Sequence, residues 1–347
     1  MAIKRTTTRH IVEPTQTGMD SDVLEQTLRP KRLSEYVGQS EVKGHVIVHI
    51  DAAKKRKEAL GHTLFFGPPG LGKTTLAHIL AREMGAQIRV TTGPAVEKPG
   101  DIASLLTNLE EGDILFIDEI HRLRPTIEEV LYSAMEDFVL DLVIGKGPTA
   151  RSMRLDIKPF TLVGATTKAG SISAPLRDRF VHSFKLHFYT EEEMEQIVER
   201  SARILSLRLE KGAARKIAQC CRFTPRVANR LVRSIRDYAQ VANEDLVTFD
   251  RVAVTLGSLG IDDYGLDRSD RLILQTIIEK FAGGPVGLST LAAATGEEEQ
   301  TLEDMIEPYL LQQGYLQRTP KGRTVTRVSY DLLGIPVPEG SQTALFS

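Results

Sequence analysis

The sequence predicts an α/β nucleotide-binding domain built on a mostly parallel sheet, followed by a small helical domain and a C-terminal winged-helix module. Three observations carry this. A short apolar run, Thr63–Phe66, leads into the glycine-rich Gly67–Gly72 and then into a helical stretch from Lys73 to about Met84. Strand, glycine loop and helix in that order open a nucleotide-binding α/β unit. Further apolar runs at Gln87–Thr91, Asp113–Ile117 and Phe160–Ala165 alternate with helical stretches, the pattern of a parallel sheet covered on both faces. After Val181 the pattern turns to helices only, and the last third closes on two short strand-like runs.

Taken in order, residues 1–22 are polar and Thr-rich; they lack the apolar run of a signal peptide and read as a loose N-terminus. Glu41–Leu60 carries Val42, Val46, Ile50 and Ala53 at helical spacing, and Gly61-His62 ends it. Val139–Ile144 and Ser152–Ile157 flank Gly145-Lys146-Gly147-Pro148 and read as an inserted β-hairpin. The large domain therefore spans 23–182, with its insertion at 139–157. A helical domain over 183–256 follows. In it Glu191–Leu207 has Met194, Ile197, Val198 and Leu205 on one face, Pro225–Val241 has Val227, Leu231, Ile235 and Tyr238, and Phe249–Leu256 closes the set. Gly257–Gly265 reads as a linker.

The winged-helix module, 262–336, begins with Arg268–Phe281 (Leu274, Ile277, Ile278 and Phe281 inward), which Gly283-Gly284-Pro285 breaks. Ser289–Ala294 is a short helix and Glu297–Gln313 a longer one, with Leu302, Met305, Ile306, Tyr309 and Leu310 inward and Pro308 as a kink. Tyr315–Thr319 and Thr324–Val328 read as strands around Pro320-Lys321-Gly322-Arg323. Residues 337–347 read as a flexible tail.

Bulk properties narrow the function. With 347 residues, 41% of them hydrophobic and 26% charged, the chain is an ordinary globular one with room for two or three domains. A net charge of −2 argues against nucleic acid wrapped over the whole surface, so any DNA contact is local. Aromatics are 6% and Trp is absent, which disfavours base stacking as the mode of binding. The adjacent Cys220 and Cys221 offer neither a bridge between elements nor a metal spacing; they read as small half-buried residues in a reducing compartment. No stretch approaches a membrane span, and the expected location is the cytoplasm.

Gly67-Pro68-Pro69-Gly70-Leu71-Gly72-Lys73-Thr74 fits G-x-x-x-x-G-K-S/T. Glycines at Gly67, Gly70 and Gly72 let backbone N–H groups turn toward one point, and the following helix, beginning Lys73-Thr74-Thr75, adds its positive end. Lys73 is a point charge for the β- and γ-phosphates of ATP, and the Thr74 hydroxyl suits Mg²⁺. Asp113–Ile117 is a buried-strand run ending in Asp118-Glu119, where open α/β sheets place ligands. Asp118 is the expected second Mg²⁺ partner; Glu119 is the expected general base for the attacking water. Leu162–Thr167 is a further strand ending in hydroxyls that reach the water or γ-phosphate. Taken alone, that signal reads equally well as an ordinary strand end.

These elements, in this order and followed by a helical lid, resemble the AAA+ class of P-loop ATPases. Asp118-Glu119-Ile120-His121-Arg122-Leu123, Gly164-Ala165-Thr166-Thr167, Pro175-Leu176-Arg177-Asp178-Arg179-Phe180, Gly283-Gly284-Pro285-Val286-Gly287-Leu288, Leu28-Arg29-Pro30 and Tyr36-Val37-Gly38-Gln39 together resemble the RuvB family of that class, over residues 23 to 336. The resemblance implies an ATP hydrolase that drives branch migration of Holliday junctions in recombination and DNA repair. It also implies a homohexameric ring on duplex DNA, working with RuvA and with the RuvC resolvase as a further partner.

Residue by residue it implies Leu28, Arg29, Thr75 and Tyr189 at the nucleotide, with a half-buried hinge aromatic as an equal reading of Tyr189, Thr167 or its neighbour Thr166 as sensor, and Arg226 as the lid arginine on the phosphates. Arg179 is implied as an arginine finger reaching a neighbouring subunit's γ-phosphate; residues alone read it as a salt bridge to Asp178 or another local acid. Glu136-Asp137-Phe138 is implied to face the adjacent subunit's nucleotide, with a solvated helix end as the plainer reading. The hairpin is implied to dock on RuvA through Leu142 and Ile144, against an ordinary half-buried hairpin.

The C-terminal charges divide sharply. Residues 297–308 hold Glu297, Glu298, Glu299, Glu303, Asp304 and Glu307 and no Lys or Arg, so phosphates repel that helix. From Gly314 to Ser329 there are Arg318, Lys321, Arg323 and Arg327 and no acid. Arg318 and Arg323 match the family's DNA-contacting positions, with backbone contacts and little base readout expected. A solvated basic hairpin is the plainer reading. Where the family often carries a basic residue, near Glu299, this chain is acidic, which removes support for a third DNA contact. The rival readings are a clamp-loader-type ATPase, an unfoldase (for which no clear aromatic-Gly pore loop is found) and a nucleotide-gated DNA-binding regulator, which has no need of Glu119.

Overall fold

A computed structural model describes residues 27–144 and 151–337. The expected loose N-terminus 1–22, the tail beyond 337, the hairpin tip 145–150 and the side chains of Leu142 and Ile144 lie outside the described residues.

Helix α1 (Ser40–Arg56) buries Val42, Val46, Ile50 and Ala53, the stripe its spacing predicts. Strands β1 (Thr63–Phe66), β2 (Ile88–Thr92), β3 (Ile114–Asp118), β6 (Thr161–Thr166) and β7 (His182–Lys185) form one parallel sheet in the order β2-β3-β6-β1-β7. Between them run α2 (Lys73–Met84), α3 (Pro99–Thr107), α4 (Pro125–Glu136) and α5 (Ala174–Asp178). The hairpin pairs β4 (Val139–Ile144) with β5 (Arg151–Asp156).

Register decides the site. Phe66 lies beside Thr166, and Ile117 beside Gly164, so the loops after β1, β3 and β6 leave one edge together. That edge is the carboxyl end of central strands, where parallel sheets bind ligands. Close packing supports the alignment: a Cβ on Gly164 would sit 3.1 Å from Ile120, Leu64 and Phe180 side chains. A larger residue there would push β6 off its neighbours.

Strand β7 corrects the expectation of helices alone after Val181. It reads His-Ser-Phe-Lys with no apolar run, because an edge strand covered on one side needs none.

The helical unit holds α6 (Glu191–Ile204), α7 (Ala213–Gln219), α8 (Pro225–Val241) and α9 (Phe249–Ser258). Thr190 caps α6 by accepting from Glu193 N–H, and Glu193 returns a bond to the Thr190 N–H. Met194, Val198, Leu231 and Ile235 join a core continuous with one face of the sheet. Tyr238 is not inward: it is 39% exposed, because the stripe of α8 closes on Ala239 instead. Cys220 and Cys221 are fully buried rather than half-buried, and burial pushes their thiols up to about 11 and about 12. The expected linker is an ordered turn, since α9 runs on to Ser258 and Asp262 Oδ1 accepts from the N–H groups of Tyr264 and Leu266.

The last module contains α10 (Arg268–Phe281), α11 (Leu288–Thr295), α12 (Glu299–Thr301), α13 (Glu307–Gln312), β8 (Leu316–Thr319), β9 (Gly322–Val325) and α14 (Arg327–Leu333) around its own core. Two expectations fail here. The long helix is interrupted by a π turn at Leu302–Ile306, and Met305, expected inward, is 68% exposed. Pro308 has no N–H for the Asp304 carbonyl, so the backbone takes a wider turn that rotates Met305 outward. The hairpin is also tighter than expected, pairing Thr319 with Gly322 across Pro320-Lys321. Arg327 and Val328 therefore begin a helix, whose Tyr330 fills the module's core.

Candidate functional site

The phosphate loop is built by left-handed glycines. Gly70 and Gly72 have φ of 78° and 98°, and Gly72 precedes α2 so that the helix's first N–H groups face the loop. A Cβ on Gly72 would stand 2.6 Å from the Tyr36 hydroxyl. Lys73 is buried, and its Nζ donates to the Gly67 and Pro68 carbonyls, both at 2.8 Å. Burial lowers its pKa to about 8, while Asp118 and Glu119 pull it back up. Phosphates arriving at the loop supply the charge that the buried ammonium lacks.

The carboxylates follow from β3. Glu119 is left-handed, with φ 49°, which swings the chain into a tight turn at Ile120–Arg122. Asp118 Oδ1 accepts from the Glu119 N–H at 2.9 Å, and Asp118 Oδ2 accepts from the Thr74 hydroxyl at 3.3 Å. That hydroxyl and carboxylate, side by side at a phosphate loop, are the hard-oxygen pair a Mg²⁺ ion takes together with phosphate oxygens. Glu119 Oε2 lies 3.5 Å from the Thr167 hydroxyl and 3.3 Å from His121 Nδ1.

The neighbouring threonines separate here. Thr167 lines the cleft, whereas Thr166 is fully buried: its hydroxyl accepts from the Lys168 N–H and meets His121 Nδ1 at 2.8 Å. His121 lies in the Asp118–Leu123 motif, yet nothing in the sequence spacing shows that it bridges β3 and β6.

The cleft gathers Arg29, Gly70, Gly72, Lys73, Thr74 and Thr75 with Asp118, Glu119, Thr167 and Arg226. The Arg226 N–H reaches the Gly70 carbonyl at 3.4 Å. A second cleft beside it takes in Leu28, Arg29, Thr75 and Tyr189. Tyr189 is 3% exposed and donates to the Leu71 carbonyl at 3.1 Å; burial pushes its phenol up to about 12. Asn229 and Arg200 also line these clefts and carried no sequence signal; Arg200 donates to the Leu28 carbonyl at 2.7 Å.

Arg179 lines neither cleft. Its guanidinium donates to Glu136 at 2.9 Å, not to Asp178, and to the Pro175 carbonyl at 2.7 Å, and lies 4.5 Å over the Tyr132 ring. Its Nε is buried without a hydrogen-bond partner. Asp137 pairs with Arg154 at 3.7 Å, and Phe138 packs on His62 and Phe160. Of the three, Glu136 alone meets Arg179, and Glu136, Asp137 and Phe138 are absent from the two clefts described.

The wing is less free than its charge suggests. Arg318 donates to Glu307 at 2.7 Å and to Glu303 at 3.0 Å, and Arg323 donates to Glu307 at 2.5 Å. Glu307 is almost fully buried, so removing a partner strands a charge. Arg323→Ala is expected to cost the module about 2 kcal/mol, Arg318 keeping part of the pairing. Lys321→Ala, at the exposed hairpin turn, is expected to be neutral in stability. On duplex DNA, Lys321→Ala should flatten the salt slope by about one unit. Thermal unfolding and salt-dependent binding separate the two; equal melting points would refute the Glu307 anchor.

Comparison with known proteins adds an independent line. Three family models match consecutive segments: a Holliday junction DNA helicase RuvB P-loop domain over residues 28–186, a RuvB AAA lid domain over 189–262 and a RuvB C-terminal winged helix domain over 263–334. Among solved structures, the Thermotoga maritima RuvB Holliday junction branch migration motor is 51% identical, covers 90% of this chain and 100% of its own, and superposes with a TM-score of 0.83. A Lys-to-Arg mutant of that protein is 51% identical over 90% of this chain and 99% of its own, with a TM-score of 0.83. An Arg-to-Ala mutant is 50% identical over the same shares, with a TM-score of 0.82.

Proposed function

This chain belongs to the RuvB family, with a P-loop AAA+ domain, an AAA lid and a winged-helix domain, and from that membership we propose that it is an ATP-driven motor of Holliday-junction branch migration. The observation that carries the reading is the division of the site. One cleft holds Lys73, Thr74, Asp118, Glu119, Thr167 and Arg226, while Arg179 is not among its lining residues and pairs with Glu136.

In this reading Gly67, Gly70, Gly72 and Lys73 hold the ATP phosphates, and Leu28, Arg29, Thr75 and Tyr189 hold the base and ribose end. Thr74 and Asp118 would hold Mg²⁺, which supplies charge neutralisation on the phosphates when bound. Glu119 takes a proton from the attacking water, Thr167 orients it, and Arg226 reports the phosphate to the lid. Arg179 enters a neighbouring copy's site, with Glu136, Asp137 and Phe138 facing the same nucleotide, so the working form is a closed ring, a homohexamer in this reading. Hydrolysis changes that shared contact and therefore how subunits pack. Wings gripping phosphates through Arg318 and Arg323, with little base readout, then move duplex DNA of any sequence. The β4–β5 hairpin offers Leu142 and Ile144 to RuvA, RuvC is a further partner, and the setting is the cytoplasm. No helix among the described residues is long and apolar enough to cross a membrane.

The test is ATP-dependent movement of a labelled four-way junction with RuvA present. Movement that requires hydrolysable ATP supports the reading. Brisk turnover with stationary junctions would favour a clamp-loader-type ATPase.

A further inference from the structure

The acidic stretch of the winged-helix module occupies the place of a recognition helix, yet phosphates would repel it. Its acids have basic partners on two sides. Lys168, from the loop after β6, lies 3.2 Å from Asp304 and 4.0 Å from Glu303. On the other side Glu303 accepts from Arg318 at 3.0 Å, and Glu307 accepts from Arg318 and Arg323. The π turn over Leu302–Ile306 is the local feature that presents Glu303 and Asp304 at this junction. A cavity between the modules is lined by Glu119, His121 and Thr167 from one side and by Gln300, Thr301 and Asp304 from the other, with apolar side chains such as Phe188 and Ile306 among them.

We propose that the acidic stretch Glu299–Glu307 is a docking surface for the Thr166–Lys168 loop, and that through it the wing's grip on DNA is felt at Glu119. The inference rests on the motor reading above. The path is short. Glu119 meets Thr167 and His121, His121 meets Thr166, and the Thr166 hydroxyl accepts from the Lys168 N–H. Lys168 meets Asp304 and Glu303, and Glu303 shares its charge with Arg318. A DNA phosphate competes with Glu303 for Arg318. When it wins, the full charge of Glu303 falls to Lys168 and the loop beside Thr167 is drawn toward the helix. The acidic composition is thus explained as a surface for the chain's own ATPase domain.

The test uses the full-length protein as Asp304→Lys, Lys168→Glu and the charge swap carrying both. Hydrogen exchange over residues 166–171 without DNA reads the docking. The ratio of duplex-stimulated to basal ATP turnover reads the coupling. Each single variant should raise exchange in the loop and lower the ratio about threefold to fivefold, and the swap should recover both to within about twofold of wild type. The swap keeps the net charge, so general attraction to DNA does not explain a rescue. Single variants indistinguishable from wild type, or a swap as poor as they are, would overturn the proposal. If wild-type turnover ignores DNA while exchange responds as expected, the docking stands, and both the coupling and the motor reading fail. If wild type responds to DNA and the variants match it, only this inference fails.

Discussion

Glu119→Gln is expected to lower ATP turnover about a thousandfold while ATP binding stays within about twofold of wild type. The reason lies in how Glu119 is held. Its carboxylate has one long contact from the Thr167 hydroxyl at 3.5 Å and faces His121 Nδ1 at 3.3 Å. Desolvation lowers the His121 pKa against the opposing pull of Glu119. Gln keeps the size and the Thr167 contact but cannot take the proton. Lys73 Nζ is held by the Gly67 and Pro68 carbonyls rather than by a bond to Glu119, so affinity should survive. Single-turnover kinetics beside nucleotide binding read the split; equal losses in binding and turnover would point to a structural role.

The second large effect is expected from Arg179→Ala, a loss of about a thousandfold in turnover by assembled rings with nucleotide affinity retained. The arginine's own-chain contacts are with Glu136, Tyr132 and the Pro175 carbonyl. The pair with Glu136 is partly exposed, so it is a weak resting place that a neighbour's phosphate can outbid. The buried Nε without a partner fits a side chain whose best hydrogen bonds lie elsewhere. Arg179→Lys should recover little, since Lys lacks the planar fork. Melting temperature is the control: a fall that tracks the loss of turnover would assign Arg179 to packing alone.

Much of this was legible in the sequence because the features are local. Gly67–Thr74 needs particular backbone angles at fixed spacing, and Asp118-Glu119 sits at the end of an apolar run, so both are visible in the sequence. Burial of Val42, Val46, Ile50 and Ala53 follows from helical period alone. What escaped depends on long-range pairing. Strand β7 has no apolar run because it is an edge. Met305 turned outward because Pro308 removes a donor that only matters once the helix is built. Arg318 and Arg323 read as free cations because nothing in the spacing from Glu307 shows that the hairpin folds back onto it. His121 gained its place between Glu119 and Thr166 only when β3 and β6 paired.

The most direct test of the account mixes Arg179→Ala and Glu119→Gln protein and follows junction movement and ATP turnover. On the proposed arrangement each variant alone lacks one half of every site. In random mixed rings about a quarter of interfaces join an intact Glu119 to an intact Arg179 from the next copy. Turnover that reappears on mixing, peaks near equal proportions and brings back some junction movement is the predicted result. No recovery at any ratio, with ring assembly intact, would contradict a site completed between copies and with it the mechanism by which this chain moves DNA.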